Sequence, residues 1–120
     1  MSGGESDLPK SRSLRVEVYL PVRFDSSYQQ TRDWLVSEFT AFFGGCSVVD
    51  HVQGWYRAND ASTVEDTITI IYSDTPELRS REERNVRAYL DGLKLFIESY
   101  LSEESIFVAY WPVEHAEGAS

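Results

Sequence analysis

Few side chains in this sequence could do chemistry, and their spacing argues against most of it. His51 and His115 are the only histidines and Cys46 is the only thiol. A zinc-type site needs clustered His, Cys or carboxylate ligands. Asp50 and His51 are neighbours in an extended stretch, so their side chains diverge, and no metal site or cofactor is expected. Glu65 and Asp66 form a carboxylate pair, but adjacent strand residues point to opposite faces and do not make an acid/base couple. Gly44-Gly45 stops a helix and is not a phosphate cradle. Cys46 beside that stop reads as a buried small apolar residue and not as a reactive thiol. No catalytic residue is therefore assigned.

The charge balance narrows the partners. Twenty acidic residues against eleven basic give a formal net charge of -9. Nucleic-acid binding rests on clustered Lys and Arg, so no nucleic acid is expected, whereas a basic protein partner would be favoured. No apolar run reaches the roughly 20 residues of a membrane helix, and no signal peptide is visible. One cysteine cannot form an internal disulfide. A soluble, cytoplasmic setting without membrane attachment fits these features.

The elements that must position the remaining candidates are organised around Leu14 to Phe24. Apolar residues recur there at Leu14, Val16, Val18, Leu20, Val22 and Phe24, with Arg15, Glu17, Tyr19, Pro21 and Arg23 between them. That is one strand with one apolar face. Residues 1–13 read as a disordered leader, 14–113 as a single domain and 114–120 as a flexible tail. A first helix is expected from Ser27 to Phe43, with Ser27 and Gln30 resembling a capping box. Tyr28, Leu35, Phe39 and Phe42 form its apolar face. A second strand spans Cys46 to Arg57, bent or bulged at Gly54. A third spans Thr63 to Ser73. A second helix runs from Pro76 to Leu101, with Thr75 as cap and Val86, Leu90, Leu93 and Ile97 on its apolar side. Ile106 to Trp111 is the fourth strand, ended by Pro112.

Strand, helix, strand, strand, helix, strand with right-handed crossovers predicts an α+β, ferredoxin-like βαββαβ domain. Its four-stranded antiparallel sheet would have the order 4-1-3-2, with both helices on one face. The other face would be open. It is expected to carry Glu17 and Tyr19 from the first strand, Thr67, Thr69 and Ile71 from the third, and Phe107 and Trp111 from the fourth. The alternative set on the fourth strand is Ile106, Val108 and Tyr110. One end of the domain should gather Asp25, Asp33, Asp60, Glu103 and Glu104 into an acidic surface.

The stretch F-F-G-G-C-S-V-V-D-H-V-Q-G-W-Y, Phe42 to Tyr56, with Glu65 opening the next strand, resembles a pattern in small prokaryotic ferredoxin-like proteins. Ser47 stands where those have Thr. The resemblance covers about a quarter of the chain. It implies the fold and a bacterial or phage origin, and it implies no activity.

These features predict a non-enzymatic interaction or regulatory domain. It would self-associate as a homodimer, or bind a protein partner, through its open sheet. A bacterial immunity, defence or regulatory subunit fits. The alternative is a small-molecule sensor or enzyme of the dimeric α+β barrel type, with Tyr19, His51 and Trp111 lining a pocket.

Overall fold

The computed structural model describes residues 12–101 and 106–114. Six elements follow in order: β1 (Ser13–Pro21), α1 (Ser26–Phe43), β2 (Ser47–Arg57), β3 (Thr63–Asp74), α2 (Ser80–Leu101) and β4 (Phe107–Val113). All strand pairs are antiparallel and the spatial order is β2-β3-β1-β4, the arrangement expected from the sequence.

β1 alternates strictly. Leu14, Val16, Val18 and Leu20 are buried under the helices, and Arg15, Glu17, Tyr19 and Pro21 are half-buried on the opposite side. α1 contributes Tyr28, Leu35, Phe39 and Phe43 to the core, and α2 contributes Val86, Leu90, Leu93 and Ile97. Phe42, expected on the buried face of α1, is exposed and stacks on Tyr89 with ring centroids 4.2 Å apart. Phe43 takes the core position.

Several boundaries differ from the sequence reading, each for a local reason. Of the three residues that offer a cap for α1, Asp25, Ser26 and Ser27, it is Asp25 that serves, its Oδ1 accepting the Tyr28 backbone N–H at 3.0 Å, and the Ser27–Gln30 capping box does not form the helix start. Residues 75–79 are not helical. Thr75 is followed by Pro76, which disfavours helical geometry at the preceding residue. Thr75 instead donates its N–H to the Leu14 carbonyl, and its Oγ1 accepts the Leu14 N–H at 2.9 Å. Leu78 and Arg12 bridge in both directions, so Arg12 and Ser13 belong to the folded unit and not to a leader. α2 then starts at Ser80, with Glu82 Oε1 accepting the Arg79 N–H at 3.0 Å, half of a capping box. β4 runs through Pro112 because it is an edge strand, where a missing N–H need not break the ladder. The rest of the expected leader and tail, residues 1–11 and 115–120, lies outside the described residues.

The bulge in β2 sits at Asp50-His51, not at Gly54. Val49 pairs with Ile70 and Val52 with Ile68, so Asp50 and His51 together oppose Thr69. His51 adopts the left-handed conformation with φ 58°. Gly54 has a different role. A Cβ there would come within 3.0 Å of Ile68 Cδ1, so glycine lets the Ile68 side chain lie across the strand.

Candidate functional site: the uncovered sheet face

In an antiparallel pair, directly opposed residues point the same way. Val18 opposes Ile71, Leu20 opposes Thr69 and Val16 opposes Ser73. Because the three β1 residues are buried under the helices, so are their partners. Ile71 and Thr69 are both 0% exposed. Thr67 shares their side of the strand. The expectation that Thr67, Thr69 and Ile71 face outward is therefore incorrect. Two hydroxyls go inward because partners wait for them. The Thr69 and Tyr28 hydroxyls bond at 2.7 Å, and Thr69 Oγ1 donates to Asp50 at 3.2 Å. Ser73 Oγ donates to the Gly45 carbonyl.

The outward side of β3 is the more apolar one. Ile70 opposes Tyr19, and Ile68 opposes Pro21. Across the other edge of β1, Tyr19 opposes Phe107 and Arg15 opposes Trp111, so the Phe107, Ala109 and Trp111 set of β4 is the outward one. Val49 opposes Ile70 from β2. One row therefore crosses all four strands of the uncovered face: Val49, Ile70, Tyr19 and Phe107. Its two ends are open to solvent, with Val49 43% and Phe107 60% exposed, and Trp111 lies four residues further along β4.

The charged groups on this face are already partnered. Arg15 donates to both Asp74 oxygens, at 2.7 and 2.9 Å, and its guanidinium lies 4.8 Å from the centre of the Tyr72 ring. The Tyr19 hydroxyl donates to Glu17 Oε1 at 2.6 Å. That bond, then burial, raises the Tyr19 pKa above its ordinary value, so the phenol stays protonated at neutral pH. Arg15 and Asp74 can therefore be covered together without an unmatched charge, whereas Glu17 is held by a neutral phenol and keeps its negative charge.

Other expected site residues are not drawn together. Asp25 is engaged as the α1 cap and also accepts from Ser27, interactions that lower its pKa. Asp33 accepts from Gln29 at 3.0 Å. Asp60 accepts the Ser62 N–H at 3.0 Å within the β2–β3 turn. That turn lies beyond the end of β1, since β1 ends at Pro21 opposite Ile68 and β3 begins five residues earlier at Thr63. The overhang is roughly 17 Å. Asp60 thus stands out beyond the end of β1, while Asp25 and Asp33 belong to α1 and its cap, and Glu103 and Glu104 lie outside the described residues.

The pocket trio is also divided. His51 borders a cleft with Val22, Arg23, Phe24, Asp66 and Thr67, and neither Tyr19 nor Trp111 lines it. The sequence reading missed Ile68, Ile70, Tyr72 and Val49 as members of the open face. The signal that could have found them is pairing register, since only one alignment puts the buried β1 residues beside residues with inward partners.

Among solved structures, the chain is similar to a divalent cation tolerance protein, Cut A1, from Thermus thermophilus. The two are 12% identical over 88% of this chain and 87% of that chain, with a TM-score of 0.54. It is also similar to CutA1 from Oryza sativa, 14% identical over 88% of this chain and 84% of that chain, with a TM-score of 0.51. The fold is ferredoxin-like. No family model matches the sequence, and no curated protein does. The likeness thus extends to architecture, and the second-strand pattern that suggested the fold carries no family with it. Among the described residues, no group of three or more His, Cys, Asp or Glu side chains is placed to hold a metal, and no helix is long and apolar enough to cross a membrane.

Proposed function

We propose that this chain is a non-enzymatic binding or regulatory domain that self-associates through its uncovered sheet. The observation that carries this reading is the row Val49, Ile70, Tyr19 and Phe107, an apolar band across four strands with no covering element among the described residues. Contiguous exposed apolar patches of this kind mark interaction surfaces. A second copy is the occupant that fits best, because the band is apolar and the Arg15–Asp74 pair beside it is internally matched. Those features suit a self-complementary contact better than a strongly charged partner. The fold likeness to a protein named for divalent cation tolerance is compatible with a small regulatory role and adds no ligand. The sensor or enzyme reading, with two sheets enclosing a ligand, keeps Tyr19 and Trp111 on the facing surfaces but loses His51.

The melting temperature of the full chain tests this reading. Association stabilises the folded state by mass action, so the melting temperature should rise with protein concentration. A value independent of concentration would count against self-association. Stabilisation by a small molecule at fixed protein concentration would favour the sensor reading.

A further inference from the structure

The helix layer carries a second exposed aromatic group that neither the core nor the open sheet uses. Trp34 of α1 meets Phe96 of α2 across the seam between the helices, with ring centroids 5.2 Å apart and planes tilted by 46°. Tyr100, one turn beyond Phe96, stacks behind it at 6.2 Å with planes 9° apart. All three rings are exposed. With Gln30 and Thr31 they line a cleft of about 220 Å³. Phe96 and Tyr100 make one wall and Trp34 a second, tilted wall.

The chemistry of the lining is selective. It contains no Lys, Arg or His. Its hydroxyls already have partners: the Tyr100 hydroxyl donates to Gln30 Oε1 at 2.7 Å, and the Thr31 hydroxyl donates to the Ser27 carbonyl at 2.8 Å. What remains available are ring faces, which carry negative quadrupole potential, a few oxygen lone pairs, and two neutral donors, the Gln30 amide and the Trp34 indole N–H. Tyr100 is the penultimate residue of α2, and the last turn of that helix has no basic residue to offset the negative end of its dipole. The chain as a whole carries a formal charge of -9. The ring faces, the uncompensated end of α2 and the net charge favour a cation, and no basic side chain lines the cleft to hold an anion. The cleft disfavours a strongly hydrated ion, because its few oxygens fall short of the ligand set that such an ion needs in place of its water. A methylated ammonium has an apolar surface and a diffuse charge, and aromatic cages recognise it through cation–π attraction.

We propose that the Trp34–Phe96–Tyr100 cleft binds a small organic cation bearing a quaternary ammonium group. The cleft is smaller than the roughly 300–1,000 Å³ of sites for drug-sized ligands, which matches a free trimethylammonium compound of the size of choline. This site is independent of the open sheet and of whether the chain self-associates.

Isothermal titration calorimetry of the full chain with choline, and with its neutral isostere 3,3-dimethyl-1-butanol, tests the assignment. Choline should bind saturably and at least about twofold more tightly than the isostere, the low end of what a cation–π contact at an exposed site supplies. Phe96→Leu should weaken choline binding by a similar factor. Trp55→Leu, which alters an exposed ring on β2, should leave it unchanged. Circular dichroism of each variant checks that the fold is intact; because Phe96 is exposed, Phe96→Leu should fold. Should Phe96→Leu fail to fold, Trp34→Leu is the substitute and should weaken binding equally. Equal affinity for the two ligands, no saturable binding of choline, or full binding by a folded ring variant would each overturn the proposal.

Discussion

Tyr19 of β1 stands opposite Phe107 of β4, and their rings meet edge to face with centroids 5.0 Å apart. The contact joins a central strand to an edge strand on the side that the helices do not cover. Edge-to-face pairs of this kind add about 0.5–1.5 kcal/mol beyond the area they bury, so the two rings act as one rigid apolar platform. Ile70 extends the platform across β3 and Val49 across β2.

Neighbouring isoleucines in β3 should therefore respond in opposite ways. Ile71 is fully buried beneath the helices, and Ile71→Glu would place an unpaired carboxylate in the core. The expected cost is at least about 3 kcal/mol, seen as an unfolded or strongly destabilised chain by urea denaturation. Ile70→Glu, one residue away on the open face, should leave the circular dichroism spectrum and the monomer's denaturation midpoint nearly unchanged while abolishing association.

The core should show the large losses typical of well-packed interiors. Phe39 is among the largest side chains with no exposure and contacts Phe43 at 5.2 Å between ring centres. Phe39→Ala is expected to cost about 3–5 kcal/mol, against almost nothing for Phe24→Ala, since Phe24 is fully exposed. Chemical denaturation of the two variants separates them.

The α1 stop gives a paired test of backbone conformation. Gly44 has φ 92° and donates its N–H to the Thr40 carbonyl at 3.0 Å, while Gly45 has an ordinary φ and open space around it. Gly44→Ala should cost about 1–2 kcal/mol. Gly45→Ala should change stability by less than about 0.5 kcal/mol. Equal effects at the two positions would contradict the left-handed cap.

Acid should destabilise the fold through two named carboxylates. Arg12 donates to both oxygens of Glu83, at 3.0 and 2.5 Å, and Arg87 adds a third bond at 3.2 Å. Arg32 holds Asp50 at 2.9 and 3.3 Å. In each case the arginine hydrogen bonds are the largest cause lowering the carboxyl pKa below its ordinary value, 4.5 for Glu and 3.8 for Asp. The folded state then binds fewer protons than the unfolded chain in this range. The stabilisation is complete above the ordinary values and drains away as pH falls through the lowered ones. Thermal melts from pH 7 down to pH 2 should show a plateau and then a fall, and Glu83→Gln should flatten part of that fall.

Much of this architecture was readable from residue patterns. The alternation in β1, the spacing of Val86, Leu90, Leu93 and Ile97, and the Gly44 stop each arise from local periodicity or local backbone preference, which a single sequence carries. The outward side of β3 was not readable in the same way. Both of its faces have β-branched residues, and the buried one holds Thr69 and Ser73, whose partners come from Tyr28 and Gly45 in distant segments. Counting hydrophobicity alone thus points the strand the wrong way. The late start of α2 had the same origin, since Thr75 is held extended by Leu14, sixty-one residues away. The local uses of the acidic residues were not readable either, since spacing along the chain does not distinguish a cap such as Asp25 or a turn residue such as Asp60 from a carboxylate with no local partner.

The molecular mass of the full chain in solution bears most directly on the proposed role of the open sheet. Sedimentation equilibrium from micromolar to near-millimolar concentration should give a mass that rises above that of one 13.7 kDa chain. The Ile70→Glu, Phe107→Glu double variant should remain at the single-chain mass throughout. A wild-type chain that stays monomeric over the whole range, or a double variant that associates as the wild type does, would contradict the account.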